Sequence, residues 1–358
     1  MIIDLTDTTA SKINNALLEA RRRAGAPAQG MVLTLVIVTD ERDHYDAMKA
    51  ASRAAQEHPS RIIVVIPRPG RGGPRLDAEV RAGGDAGPGE TLVLRMHGRL
   101  SEHAESVVLP LLLPDAPVVT WWPGDCPGVP AEDPLGGLAQ RRVTDAAASG
   151  DPLAEITKRA QGYSPGDTDL AWTRLTPWRS LLAAALDQPS GRVLAGEVEA
   201  EPDSASAELL ALWLEARLQI EVARSVSDGP GLTAVRLRTA PGDIAITRPD
   251  GRLAVLVMPG QPERPVALKR REAAELVAEE LRRLDPDEVY AATLSRALHE
   301  GNRNRARQTG PGAGADTGSG SGSGAGAGTG TGLDTGPDAR TGPASDYGSA
   351  VTGQAASR

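Results

Sequence analysis

Apolar positions along the first third of the chain recur in two rhythms. In TTASKINNALLEARRRAG, Ile13, Leu17 and Ala20 stand at helical spacing, and Gly25 offers a stop. MVLTLVIVT (31–39) is a near-continuous run of β-branched residues and leucine, the pattern of a strand covered on both faces. DERDHYDAMKAASRAAQEH (40–58) is alanine-rich and predicts a helix, with Asp40 or Asp43 as N-cap. RIIVVIP (61–67) is a second buried strand, RLDAEVRA (75–82) alternates, and TLVLRMHG (91–98) is a further strand. SEHAESVVLPLLL (101–113) predicts a helix capped by Ser101 and kinked at Pro110, and APVVTWWP (116–123) closes the unit as a strand. Buried strands interleaved with amphipathic helices predict an α/β layer whose sheet is at least partly parallel.

A second unit follows. GRVLAGEVEAE (191–201) is a candidate strand, and SASAELLALWLEARLQI (204–220) sets Leu209, Trp213, Ala216 and Ile220 on one helical face. LTAVRLRTA, DIAITRP and RLAVLVMPG then form three strands, with RPDG (248–251) as the tight turn of a hairpin between the last two. REAAELVAEELRRL and PDEVYAATLSRAL predict two closing helices, the second beginning after Asp285-Pro286. The order of elements loosely echoes the first unit, so two related halves are one expectation. The fold class is therefore α/β: two α/β domains with mixed sheets (1–123 and 191–301), joined by a Gly/Pro/Trp-containing segment (124–190). From 302 to 358 the chain is Gly, Ala, Ser and Thr with almost nothing to bury, which predicts a disordered tail.

The connecting segment holds DTDLAWTRLTPWRS (167–180). A 358-residue chain with no phenylalanine, four tyrosines and five tryptophans spends two tryptophans here. Asp169 is placed to cap a short turn carrying Trp172, while Thr176 and Pro177 suit the N-cap and first position of a helix whose face holds Trp178, Leu182 and Leu186. Trp172 and Trp178 thus read first as anchors between the domains. Arg174 and Arg179 flank the helix start. There they either hold an anion or a partner's carboxylate, or pair locally with Asp167 or Asp169. Trp121 and Trp122 end an apolar strand, where adjacent side chains point to opposite faces. One belongs to the core, and the other is a candidate to line a cleft or an interface.

Charge narrows the partners. With 39 basic against 47 acidic residues the net charge is −8, which repels phosphate backbones at long range and disfavours nucleic-acid binding. The apolar stretches are far shorter than the roughly 20 residues of a membrane span, and the opening residues lack a signal-peptide pattern. Both predict a soluble, cytoplasmic protein without membrane contact. Chemistry-bearing motifs are scarce. No P-loop occurs, and the glycine clusters PGRGGPR (69–75) and GGDAGPG (83–89) precede strands, so they read as hairpin turns rather than phosphate cradles. His44, His58, His97, His103 and His299 show no metal-ligand spacing, and Cys126, the lone cysteine, has no basic neighbour to activate it. No cofactor, metal or catalytic residue is expected.

Four phrases, MIIDLTDTTASKINNAL, SRIIVVI, LPLLLPDAPVVTWWPG and DTDLAWTRLTPWRSLLAAALD, together resemble the glucose-6-phosphate dehydrogenase assembly proteins, the OpcA family of actinobacteria and cyanobacteria. The resemblance covers roughly residues 1–300. It implies a non-enzymatic partner that promotes assembly or activity of the dehydrogenase opening the oxidative pentose phosphate pathway. On that view Trp172, Arg174, Trp178 and Arg179 form part of the contact surface, with Trp121 and Trp122 as a second candidate. Two rivals stand beside it. One is a sugar-phosphate sensor or enzyme, with Arg174 and Arg179 on the phosphate and Trp121 or Trp122 stacked on the ring. A cleft joining 121–125 to 172–179 would favour that rival, and a flat patch would favour partner docking. The other is a scaffold whose tail tethers further proteins.

Overall fold

The computed structural model describes residues 1–24, 30–83, 89–188 and 191–308. Its first half runs β1 (Ile2–Leu5), α1 (Ala10–Ala24), β2 (Leu33–Val38), α2 (His44–Ala54), β3 (Ser60–Arg68), β4 (Arg75–Ala82) and β5 (Glu90–His97). After α3 (Ala104–Val108) come β6 (Val118–Trp121), β7 (Arg141–Thr144), α4 (Pro152–Gln161), β8 (Asp167–Asp169), α5 (Leu170–Thr173) and α6 (Thr176–Leu186). These strands form one eight-stranded sheet in the order β1-β4-β5-β3-β2-β6-β7-β8. β1 and β4 run antiparallel at one edge, and the other six strands are parallel. Along the parallel set the order is third, second, first, fourth, fifth, sixth, the doubly wound arrangement whose switch point lies between β2 and β6. β2 and β3 are buried almost end to end, as expected of strands with both faces covered.

The second half runs β9 (Val193–Ala200), α7 (Ala205–Leu218), β10 (Val222–Val226), β11 (Leu232–Thr239), β12 (Gly242–Thr247), β13 (Leu253–Val257), β14 (Arg264–Ala267), α8 (Ala273–Arg282) and α9 (Glu288–Gln308). Its six strands are ordered β10-β9-β11-β12-β13-β14. Only β9 and β10, joined through α7, are parallel; the remaining pairs are antiparallel. The predicted β12–β13 hairpin is present. Both sheets are mixed and the class is α/β, but a mostly parallel sheet and a mostly antiparallel one are not copies of one another. The chain also does not divide cleanly. Helix α8 turns back onto the first sheet, where Leu276, Val277 and Leu281 pack with Ala47, Ala51 and Ile62.

Several expectations change. Residues 141–144 and 167–169, inside the predicted connecting segment, are strands β7 and β8 of the first sheet. The stretch 101–113 is not one helix. Tight 3-10 turns at 98–103 and 109–111 bracket the five-residue α3. Pro110 has no N–H to continue a helix, and Ser101 donates its hydroxyl to the Gly98 carbonyl instead of capping. The 69–75 cluster is no hairpin turn, because β3 and β4 lie on opposite sides of β5. The 83–89 cluster does join two antiparallel neighbours, β4 and β5, though residues 84–88 lie outside the described set. So does the Gly25 stop. Helix α9 continues to Gln308, so residues 302–308 of the predicted tail are helical; residues 309–358 lie outside the described set.

Candidate functional site

Segment 167–180 is a joint. Asp169 ends β8 and caps α5, its carboxylate accepting from the backbone N–H of Ala171 at 2.8 Å and of Ala146 at 3.0 Å, and from the Thr144 hydroxyl at 2.6 Å. It is wholly buried, and burial, reinforced by the nearby Asp145 carboxylate, pushes its pKa up to about 6. Trp172 is 1 % exposed and donates its indole N–H to Asp287 at 2.8 Å. Trp178, 2 % exposed, packs in the core of the second half. Thr176 is the first residue of α6 rather than its N-cap, and its hydroxyl donates to Glu279 of α8 at 2.7 Å. One turn earlier, Thr173 bonds Glu280, the buried carboxylate that also holds Arg141 of β7. The polar side chains here that reach across the fold meet β7 and its end, α8 or the entry to α9.

This answers the two readings of the arginines. Arg174 grips Asp145 with both terminal nitrogens at 2.7 Å, and its side chain keeps 25 % of its exposure. The local pairing expected with Asp167 or Asp169 is therefore made with Asp145; Asp167 is held by Arg142. Arg179 lays its guanidinium 3.7 Å from the centre of the Trp172 ring and is half-buried, a cation–π stack on the joint.

Trp121 and Trp122 do point to opposite faces, but neither lines a cleft. Both are 2 % exposed. Trp121 packs with Ile37, Leu170 and the α2 and α8 core, while Trp122 lies against Gly136 in the loop after β6. A Cβ at Gly136 would stand 1.8 Å from the Pro130 carbonyl oxygen and 3.2 Å from the Trp122 ring, so only glycine closes that loop. Trp172 and Trp178 are the buried anchors first expected of them, whereas the cleft-lining role expected of one of Trp121 and Trp122, and a direct surface contact by any of the four, are corrected: large rings are worth more in the core.

The switch point between β2 and β6 is where a sheet of this order accepts a dinucleotide, on a glycine-rich turn opening the next helix. Here that turn reads DERDH and holds no glycine. The Asp40 carboxylate accepts the backbone N–H groups of Arg42 and Asp43, both at 2.9 Å, taking donors that a diphosphate would need. Glu41 beside it is clasped by Arg68 at the end of β3 and Arg95 of β5. The turn thus presents the carboxylates Asp40 and Glu41 where a dinucleotide site presents glycines.

A cleft of about 370 Å³ lies elsewhere, between the end of β7, the start of α6 and the N-terminus of α7. Arg174 and Trp178 reach it, but Arg179, Trp121 and Trp122 do not line it, so the grouping required by a sugar ring stacked on Trp121 or Trp122 is not formed. Sequence reasoning passed over its other basic residues, Arg248, Lys269, Arg270 and Arg271, because they sit in a turn and a loop without any motif. Among the described residues, no group of three or more His, Cys, Asp or Glu is placed to hold a metal ion, and no helix is long and apolar enough to cross a membrane. Cys126 is half-buried, and desolvation pushes its thiol up to about 11, far from a reactive thiolate.

Two family models match. Residues 51–161 match the glucose-6-phosphate dehydrogenase subunit N-terminal domain, and residues 165–294 its C-terminal domain. A cyanobacterial protein from Synechocystis, described as "Putative OxPP cycle protein OpcA", is 28% identical over 145 residues, covering 36% of this chain and 29% of that protein's length. Among solved structures, the 3-ketoreductase KijD10 from Actinomadura kijaniata aligns over 76% of this chain and 97% of its own, at 9% identity and a TM-score of 0.45. An oxidoreductase from Sinorhizobium meliloti aligns over 78% and 90%, at 12% identity and a TM-score of 0.38. Likeness at that level supports no inference about activity. The two adjoining domain matches, spanning most of the described chain, do support one about kinship: the chain belongs to the OpcA family of glucose-6-phosphate dehydrogenase assembly proteins.

Proposed function

We propose that this chain is a non-catalytic partner that binds glucose-6-phosphate dehydrogenase and promotes its oligomerisation or activity in the oxidative pentose phosphate pathway. The family match carries the partner. The single structural observation behind a role without chemistry is the DERDH turn, where Asp40 occupies the N–H groups that a redox cofactor's diphosphate would take. On this reading the chain keeps a nucleotide-binding architecture as scaffold and works in the cytoplasm beside the enzyme.

The contact surface then includes Arg174 and Arg179, the members of segment 167–180 that are charged and partly exposed. Trp172 backs Arg179 from beneath and Trp178 stays in the core, neither touching the partner, and Trp121 and Trp122 act only by keeping the first sheet closed. A rigid, aromatic-backed guanidinium loses little side-chain freedom on docking, which favours it as an interface anchor.

The test titrates purified cognate dehydrogenase with the full chain, following initial rate and mass by light scattering. The expected result is a saturable rise in rate or oligomer mass. The Arg174→Ala/Arg179→Ala chain, checked for an unchanged fold by circular dichroism, loses about 100-fold or more in affinity if both are anchors. A folded double variant that acts like the parent moves the contact elsewhere. No change in rate or mass with the parent chain ends the partner reading.

A further inference from the structure

We propose that the cleft at the N-terminus of α7 binds the phosphate group of a small, hydroxylated phosphate monoester, with Arg248, Arg270 and the first N–H groups of α7 as its anion holders. The proposal stands apart from the dehydrogenase reading, and its test contains no dehydrogenase.

Arg248, in the turn after β12, lines the cleft yet is only 5 % exposed. Its terminal nitrogens donate to the backbone carbonyls of Leu268 and Leu232, both at 2.9 Å, and its Nε has no partner. Its guanidinium carbon lies 5.0 Å from the centre of the Trp178 ring. Among the described residues no carboxylate pairs with it. A buried guanidinium normally finds a counter-charge, since leaving one without is costly in a medium of low dielectric. Burial duly pulls its pKa below the usual arginine value, and neighbouring Arg270 adds to that. Each terminal nitrogen still carries a second N–H beyond the one given to a carbonyl.

The other cations of the cleft separate into two groups. Arg174 is spent on Asp145, Arg271 on Glu279 and Lys269 on Glu275. Arg270 is exposed at the mouth, with no carboxylate partner among the described residues. The unspent charges are thus Arg248 within and Arg270 above.

Helix α7 adds directional donors. Ser204 is its N-cap, and the Ser204 hydroxyl takes the Ala207 N–H at 3.3 Å. That leaves the N–H groups of Ala205 and Ser206 at the wall of the cleft, at the positive end of a fourteen-residue helix. The chain also presents Glu201 and Asp203 at the same mouth, the first half-buried with an oxygen over Gly229, the second exposed. Two carboxylates repel a bare anion but accept hydrogen bonds from hydroxyls. The pairing of anion donors with hydroxyl acceptors, in a volume of about 370 Å³, selects a phosphate carried on a polyol-like body.

Calorimetry and thermal unfolding of the full chain test this, using inorganic phosphate, glucose 6-phosphate and glucose as probes at constant ionic strength. Phosphate is expected to bind in the millimolar range, glucose 6-phosphate at least about tenfold tighter, and glucose not at all. Arg270→Ala, an exposed change that leaves the core intact, weakens both phosphates about five- to tenfold, whereas Arg22→Ala on α1 leaves them unchanged. Arg248→Lys keeps the charge but not the fork, and weakens them further. The proposal falls if neither phosphate binds beyond a chloride control, if glucose 6-phosphate binds no tighter than phosphate, or if Arg270→Ala binds as the parent does.

Discussion

Asp169 shows how much one carboxylate can be asked to do. It caps α5, ties the end of β7 to that cap, and does so without contact with water. Its pKa rises from an ordinary 3.8 to about 6 because burial outweighs the three hydrogen bonds. A carboxyl whose folded pKa lies above its unfolded value binds its proton more tightly when folded. Its contribution to stability is therefore fully present below about pH 4 and is lost as pH rises through 6. Replacing it by asparagine removes that dependence. We expect the unfolding free energy of Asp169→Asn, relative to the parent, to fall by on the order of 2–3 kcal/mol between pH 7 and pH 4. Denaturant titrations at both pH values measure it, and a difference independent of pH would show that Asp169 titrates normally.

Among elements, α8 decides the architecture. It lies late in the chain yet packs on the face of α2 and sends Glu280 inward to Arg141 of β7 and Thr173 of α5, with both ion-pair partners under 6 % exposed. Such a pair adds little net stability over an apolar one, but breaking it strands a charge. Glu280→Gln is expected to cost about 3–5 kcal/mol in urea unfolding, and Arg141→Met/Glu280→Leu to recover most of that. Equal losses for the single and double changes would mean that packing, not charge, holds α8 in place. Most of the helices and the buried strands were legible from periodicity, because a 3.6 or 2 residue rhythm survives in the sequence; α4, inside the predicted connecting segment, was not. The short edge and closing strands, β1, β7, β8, β10 and β14, were not. Three to five residues carry too little rhythm, and neighbours in space, not in sequence, hold them.

At the scale of the molecule, a parallel sheet in dinucleotide-binding order carries a turn that its own acids occupy. NADPH should therefore give no saturable fluorescence change with the full chain up to about millimolar concentration, a level that ordinary dinucleotide sites bind well below. Saturable binding would overturn the proposed role without chemistry. The sheet order itself could not be read from the sequence. β3, β4 and β5 follow one another along the chain, but β4 goes to the outside of β5 and pairs with β1, seventy-odd residues earlier in the chain.

The class of fold, most of the long elements, the family, and the cap that Asp169 places on α5 were all legible in the chain's residues. Each depends on local pattern: periodicity, a capping side chain, or phrases that persist as words. Which partners the charged residues take, and that both Trp121 and Trp122 are buried, came from the three-dimensional packing. Trp121, Trp122, Trp172 and Trp178 are buried because distant elements, α8, α9 and the Gly136 loop, close over them. Arg174 meets Asp145, twenty-nine residues back, while among the described residues Arg248 forms no ion pair. Whether a charge is spent or left available depends on which side chains the fold brings within about 4 Å of it, and sequence separation carries almost no information about that distance.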